Sequence, residues 1–373
     1  MKTILTLAAT LLLAYGSTAA PNAVPACDDT GTVVHTAKPR RVKGSERLVT
    51  RDLGRIGAYE VLYVSDGIEA VVSAAVSTLV ITADDNVIDR IVTRSDGKRL
   101  TMRIDARSIT DCTVRAVIPA SAALRTLEAE SMGTIRCEVP LGNGPGPVTV
   151  RSSEGSRIAA DIRTGDDIRV HVSGCSRFEG ALKGNNCKIS VTEGSVFDAP
   201  FTCKVHGEIL LDASSRFAGD ASAGNSLHIK LTNGSVMHGN TDATVILVHT
   251  AASSRYEGNI SAEGQAEMKS TDGSAIAGAF AGGHIYAVST ASSRIALTGS
   301  TPVPSAVIEV ASGSRFSAPA LPFRNCSVTA TSSGHAEVRC TGELLATTSS
   351  GGTVFYNDDC RVTTNNPYVR KQD

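Results

Sequence analysis

A short motif of serine, then arginine or valine, then a large apolar residue recurs along this chain at an almost constant interval. It runs Ser156-Arg157-Ile158, Ser176-Arg177-Phe178, Ser195-Val196-Phe197, Ser215-Arg216-Phe217 and Ser235-Val236-Met237. It continues as Ser254-Arg255-Tyr256, Ser274-Ala275-Ile276, Ser293-Arg294-Ile295 and Ser314-Arg315-Phe316. The serines are 20, 19, 20, 20, 19, 20, 19 and 21 residues apart. Gly133-Thr134-Ile135 fits one step earlier, and Ser333-Gly334-His335 is a degenerate copy near the end. A unit this short cannot bury an apolar side alone. It has to stack on its neighbours.

A second ladder runs between these motifs: Ile168, Ile189, Ile209, Ile229, Val248, Met268, Ala287, Ile308 and Val328. Around each rung apolar and polar residues alternate. Leu227, Ile229 and Leu231 are separated by His228 and Lys230. This period of two marks a strand with one buried face. No segment after residue 30 carries a helical period. The spacing therefore predicts an all-β parallel β-helix, each repeat forming one coil. At about 4.8 Å per coil, about twelve coils give a rod roughly 60 Å long. The column Ile158, Phe178, Phe197, Phe217, Met237, Tyr256, Ile276, Ile295 and Phe316 is its expected internal stack. The serines should sit at a tight corner, where hydroxyls bond neighbouring backbone.

The residue after the serine alternates, and so does the turn before it. Thr-Glu-Gly, Thr-Asn-Gly and Thr-Asp-Gly face Asp-Ala-Ser, Ala-Ala-Ser and Thr-Ala-Ser. The full period is thus about 39 residues. Either coils of about 20 residues alternate, or one coil spans the whole period. The first is favoured, because skipping every other coil holds like charges about 10 Å apart, close to one screening length. Before residue 130, Tyr59–Val64, Ala70–Val72, Leu79–Thr82, Ile91–Thr93 and Leu100–Ile104 read as short strands of the same object. Ser95-Asp96-Gly97-Lys98 is a turn between two of them. A single domain is expected over 46–366, with 21–45 an exposed basic leader and 367–373 a loose tail.

The 373 residues carry a formal net charge of −1. That lacks the basic excess of a nucleic-acid binder. Met1-Lys2-Thr3, an apolar run from Ile4 to Tyr15 and small residues up to Ala20 form a secretory signal peptide over 1–20. No later run is long and apolar enough for a transmembrane helix. Cys27, after Val24-Pro25-Ala26, is a possible lipid anchor. The nine cysteines show no zinc spacing. In an exported chain they are small buried hydrophobes with room for one or two bridges.

The sequence also resembles a family. Glu46-Arg47-Leu48-Val49 and the run Val92-Thr93-Arg94-Ser95-Asp96-Gly97-Lys98-Arg99-Leu100-Thr101-Met102 resemble the start of the putative autotransporter adhesin head GIN domain. So do Val114–Pro119 with Leu127–Gly133, and the late Ser349–Tyr356. The likeness covers nearly all of residues 46 to 366. It implies a right-handed parallel β-helix on exported envelope proteins, and it supplies no catalytic residues.

The residues themselves give little chemistry. Asp166-Asp167, Asn240-Thr241-Asp242 and Gly283-His284 resemble parts of a polygalacturonase signature, but in the wrong order. An inverting glycosidase needs two carboxylates about 6.5–9.5 Å apart. His171, His206, His228 and His284 fall at outward strand positions, and the histidines form no cluster in the sequence. No metal, cofactor or nucleotide site is expected. The arginines Arg157, Arg177, Arg216, Arg255, Arg294 and Arg315 should line one side of the rod. Such a row can bind an acidic glycan, or pair with carboxylates such as Glu179 and Glu257. The reading is a non-catalytic, adhesin-like envelope module for a protein or glycan. A polysaccharide-degrading enzyme and a lipid-anchored scaffold are the alternatives.

Overall fold

The structure is a computed structural model that describes residues 41–372 except 107, 359 and 365. The signal-peptide segment and Cys27 lie outside the described residues. The chain winds into a parallel β-solenoid of about 12 turns, each about 20 residues long.

Three strand columns build each coil. The first holds Ile168–Val172, Cys187–Val191, His206–Leu211 and Ser226–Leu231. The second holds Arg157–Ala159, Arg177–Glu179, Val196–Asp198 and Arg216–Ala218. The third holds Ile162–Arg163, Leu182–Gly184, Phe201–Cys203 and Ala221–Ala223. Every strand pairs in parallel with its equivalent one coil on. Further along, corners straighten and columns merge into long strands such as Ala275–Ser289.

Register confirms the 20-residue coil. Ile158 pairs with Phe178, Phe178 with Phe197, Phe197 with Phe217, and the column continues through Met237 and Tyr256 to Phe316. Each of these side chains is fully buried. Phe197 and Phe217 stack with ring centroids 4.9 Å apart. The second ladder needs one correction. Its first rung is Val170, which pairs with Ile189, whereas Ile168 pairs with Cys187. Ile168 and Val170 are both inward residues of the same strand, which gives the 21-residue first step. Period two makes them equivalent in sequence.

Two consecutive left-handed residues precede the serine. They are Asn233 and Gly234 (φ 54° and 73°), then Ala252 and Ser253 (50° and 62°), then Asp272 and Gly273 (54° and 71°). The two alternating turn sequences therefore share one backbone, that of a type I′ turn. A Cβ on Gly273 would lie 3.8 Å from Ser253 Oγ, an ordinary contact, so glycine serves there for its φ. The backbone ladder runs on through this corner, with Ser253 N–H donating to Asp272 O at 3.0 Å. The serines are buried as expected. Ser156 N–H donates to Ser176 Oγ and Ser176 N–H to Ser195 Oγ, each at 3.1 Å. At the next corner Gly239 is needed for space, since its Cβ would stand 1.8 Å from Gly219 O.

The N-terminal coils are out of sequence order. Val61–Val64 lies between Arg99–Ile104 and Thr126–Ala129. Glu69–Ser73 lies between Val114–Pro119 and Thr134–Cys137. The end is closed by antiparallel strands. Val80–Asp84 pairs with Val114–Val117 and with Leu48–Asp52, and Ile91–Ser95 pairs with Arg99–Ile104 across the expected turn. Antiparallel capping interrupts a parallel edge that would otherwise template another chain.

Strand pairing is found beyond residues 46–366 on both sides. Val42–Lys43, within the segment expected as an exposed leader, pairs with Ile109–Thr110, and Val42 is buried. Val369–Lys371 pairs through Val354–Tyr356, so this part of the expected loose tail is a strand.

Candidate interaction surface

The second column carries the arginine row outward. Arg157, Arg177, Val196, Arg216, Val236, Arg255, Ala275, Arg294 and Arg315 occupy one register position in successive coils. Two residues along, some of these strands carry a carboxylate, among them Glu179, Asp198 and Glu257. Glu179 takes Arg157 Nη2 at 2.5 Å and Arg177 Nε at 2.5 Å, and Asp198 takes the other end of Arg177. Arg255 pairs with Glu257 at 3.4 Å and Arg315 with Glu337 at 3.3 Å. Hydrogen bonds from Arg157, and then from Arg177, hold the Glu179 carboxyl below its ordinary range. Among the described residues Arg216 and Arg294 have no carboxylate partner. Four of the six arginines are thus neutralised in place.

The first column carries a feature the sequence reading passed over. A shallow groove of about 350 Å³ crosses three coils, lined by Thr149, Arg151, Arg169, His171, Lys188 and Ser190. Arg169 lies directly opposite Lys188, and Arg151 opposite His171. No carboxylate lines the groove. From its margins Glu128 reaches Arg151 at 2.8 Å and Glu208 reaches Lys188 at 2.8 Å. Arg169 has no ion pair among the described residues. Round the adjoining corner Arg163 stacks directly on Lys183, both exposed. Like charges opposite one another in a ladder are destabilising. The signal was present in the sequence as Arg163/Lys183 and Arg169/Lys188, each pair one coil apart. It is hidden because each of these residues alone is an ordinary outward cation on an alternating strand.

The carboxylate fragments do not converge. Asp166 Oδ2 accepts Gly146 N–H at 2.7 Å and Asp167 Oδ1 accepts from the Asn186 amide at 2.8 Å. Asn240 Oδ1 accepts Asn259 N–H at 3.2 Å, one rung of a corner ladder. Asp242 stands four coils beyond Arg163 on the third column. That is about 19 Å at the strand spacing, too far for a paired-carboxylate hydrolysis. Gly283-His284 is separate again, with His284 Nδ1 2.6 Å from Ser305 Oγ. The histidines are less scattered than the sequence suggested. His228 and His249 meet edge to face at 5.6 Å, one coil apart. Burial holds the His249 imidazole below its ordinary range, although Glu267 pulls the other way. No metal-ligand cluster occurs among the described residues. No helix among them is long and apolar enough to cross a membrane.

Stacked coils with regular outward columns and a carboxylate-free basic groove define a β-solenoid that displays an extended surface. Residues 58–238 and 223–359 match the family described as putative auto-transporter adhesin, head GIN domain, and the chain belongs to that family. It is an adhesin-like protein of the cell envelope. Solved structures similar to it include a putative adhesin from Parabacteroides merdae at 13% identity, covering 85% of this chain and 99% of that one with a TM-score of 0.37. Another is a putative adhesin from Bacteroides fragilis at 18% identity, covering 59% and 98% with a TM-score of 0.39. Among curated proteins none matches the chain.

Proposed function

We propose that this chain is a non-catalytic, adhesin-like module that binds an anionic glycan of the cell surface through the first-column groove. The supporting observation is the stacking of Arg169 on Lys188 beside Arg151 and His171, with no carboxylate among the groove's lining residues. Within the fold Glu208 pairs with Lys188 and Glu128 with Arg151, which leaves Arg169 without an ion pair among the described residues. A uronate or sulfate polymer lying along the coils would supply the counter-charge that Arg169 lacks, one anionic group for each strand spacing or two. Arg163 and Lys183 extend the same charge round the corner. Arg216 and Arg294 are the members of the arginine row left free to add to it. Arg157, Arg177, Arg255 and Arg315 support the reading less, because they are already paired.

The test is a glycan array read at low and at physiological salt, with the natural chain and with Arg169→Ala/Lys188→Ala. Binding to sulfated or uronate-rich glycans that weakens with salt and drops at least tenfold in the double variant is the expected result. Binding equal in both proteins, or no acidic glycan bound at low salt, would overturn the groove. Cleavage of any polymer would overturn the non-catalytic reading.

A further inference from the structure

We propose that two cysteine pairs, Cys187 with Cys203 and Cys340 with Cys360, are disulfide sites that fasten individual coils of the solenoid. Cys187 opens a first-column strand and Cys203 closes the third-column strand that ends the same circuit. One circuit returns the chain to the corner where it began, one strand spacing higher. Gly207 lies directly over Cys187, and Cys203 directly over Gly184. The two cysteines therefore share a corner in adjacent layers. Adjacent layers are about 4.8 Å apart, so Cys203, standing over Gly184, is one layer above Cys187 and on the same corner. Both residues are 2% exposed, and each thiol acts electrostatically on the other across the corner.

The C-terminal pair also lies in adjacent layers. Cys340 lies in the strand His335–Thr348, and Cys360 immediately precedes Arg361–Thr364, the strand stacked on it. The Cys340 and Cys360 thiols act electrostatically on each other across the layers. Cys340 is buried and Cys360 is partly exposed, which gives an oxidant a way in. Cys326 packs nearby and is the competing partner. Cys175 is exposed on another corner and should stay a thiol.

The chemistry needs a disulfide-bearing oxidant, either a thiol–disulfide oxidoreductase or oxidised glutathione. One cysteine thiolate attacks the oxidant disulfide and releases one oxidant thiol. The second thiolate then attacks the protein-side sulfur of the mixed disulfide and releases the other. Two protein thiols are oxidised and one oxidant disulfide is reduced to two thiols. In the cell the supply of oxidant rests on the envelope location, but the geometry does not. A solenoid coil contacts only its neighbours, so terminal coils fray first. A bond at Cys340–Cys360 holds the last layers where that matters most.

The experiment refolds the reduced full chain with oxidised and reduced glutathione, alkylates remaining thiols, and maps peptides without reductant. The expected map contains Cys187–Cys203 and Cys340–Cys360 cross-links with Cys175 alkylated, and reductant lowers Tm by several degrees. Cys203→Ala should remove the first link alone. Full alkylation of either pair, or its cross-linking to another partner such as Cys326, overturns that site. Refolding supplies its own oxidant, so this outcome is independent of whether glycan is bound or where the cell places the chain.

Discussion

Arg157 and Arg177 occupy the same register position in adjacent coils and are bridged by a single carboxylate, Glu179, at 2.5 Å from each. Without that bridge two guanidinium groups would sit one strand spacing apart. Glu179→Gln should therefore lower stability, by less than about 1 kcal/mol because the groups are partly solvated. Arginine hydrogen bonds depress the Glu179 pKa. Its contribution is then present above the ordinary carboxylate range and is lost as pH falls through the depressed value. Melting both proteins across pH 2–7 should show a gap near neutrality that closes in acid. A gap that persists in acid would mean the carboxylate's charge is not what matters.

The aromatic stack tests whether the columns share their energy. Phe217 is fully buried between Phe197 and Met237. Phe217→Ala should cost about 3–5 kcal/mol, the lost transfer energy plus a cavity that stacked neighbours cannot collapse into. Urea unfolding should show the midpoint falling at unchanged slope. A loss below 1 kcal/mol would mean the coils close over the gap.

Much of this fold was legible because a solenoid writes its contacts at a fixed interval. Ser176 and Phe178 recur about 20 residues on and Arg177 about 39, and so do their neighbours in space. The stack, the buried serines and the outward arginines followed from that interval alone. The N-terminal cap did not. Val61–Val64 rests on Arg99–Ile104, later in the chain, and antiparallel pairing of Val80–Asp84 breaks the repeat. A periodic argument has no purchase on strands that reverse direction. The basic groove was hidden for another reason. Arg169 and Lys188 are one coil apart, but each reads alone as an ordinary solvated residue on an alternating strand.

The two corner sequences share a left-handed backbone but not its cost. Ala252 (φ 50°) carries a Cβ into a region that disfavours it, whereas Gly273 (φ 71°) does not. Ala252→Gly should stabilise the chain by about 1 kcal/mol, and Gly273→Ala should destabilise it by a similar amount. Opposite shifts in Tm from these two exchanges would locate strain in the alanine-serine turns. A neutral Gly273→Ala would show that the ladder tolerates a Cβ at either corner.

The groove sets stability against binding in one residue. Arg169 faces Lys188 across a strand pair with no carboxylate between them. Arg169→Glu replaces a repulsive rung with an opposite-charge pair, worth roughly 0.2–1 kcal/mol in a sheet. The variant should melt slightly higher than the natural chain, and the gain should shrink as salt rises. The same exchange places a negative charge where an anionic polymer would lie, so acidic-glycan binding should fall by more than the double alanine variant loses. A residue kept only for folding would gain on the first measurement and lose nothing on the second. A higher Tm with undiminished binding would therefore remove the groove from the recognition surface and leave Arg216 and Arg294 as the cations to test next.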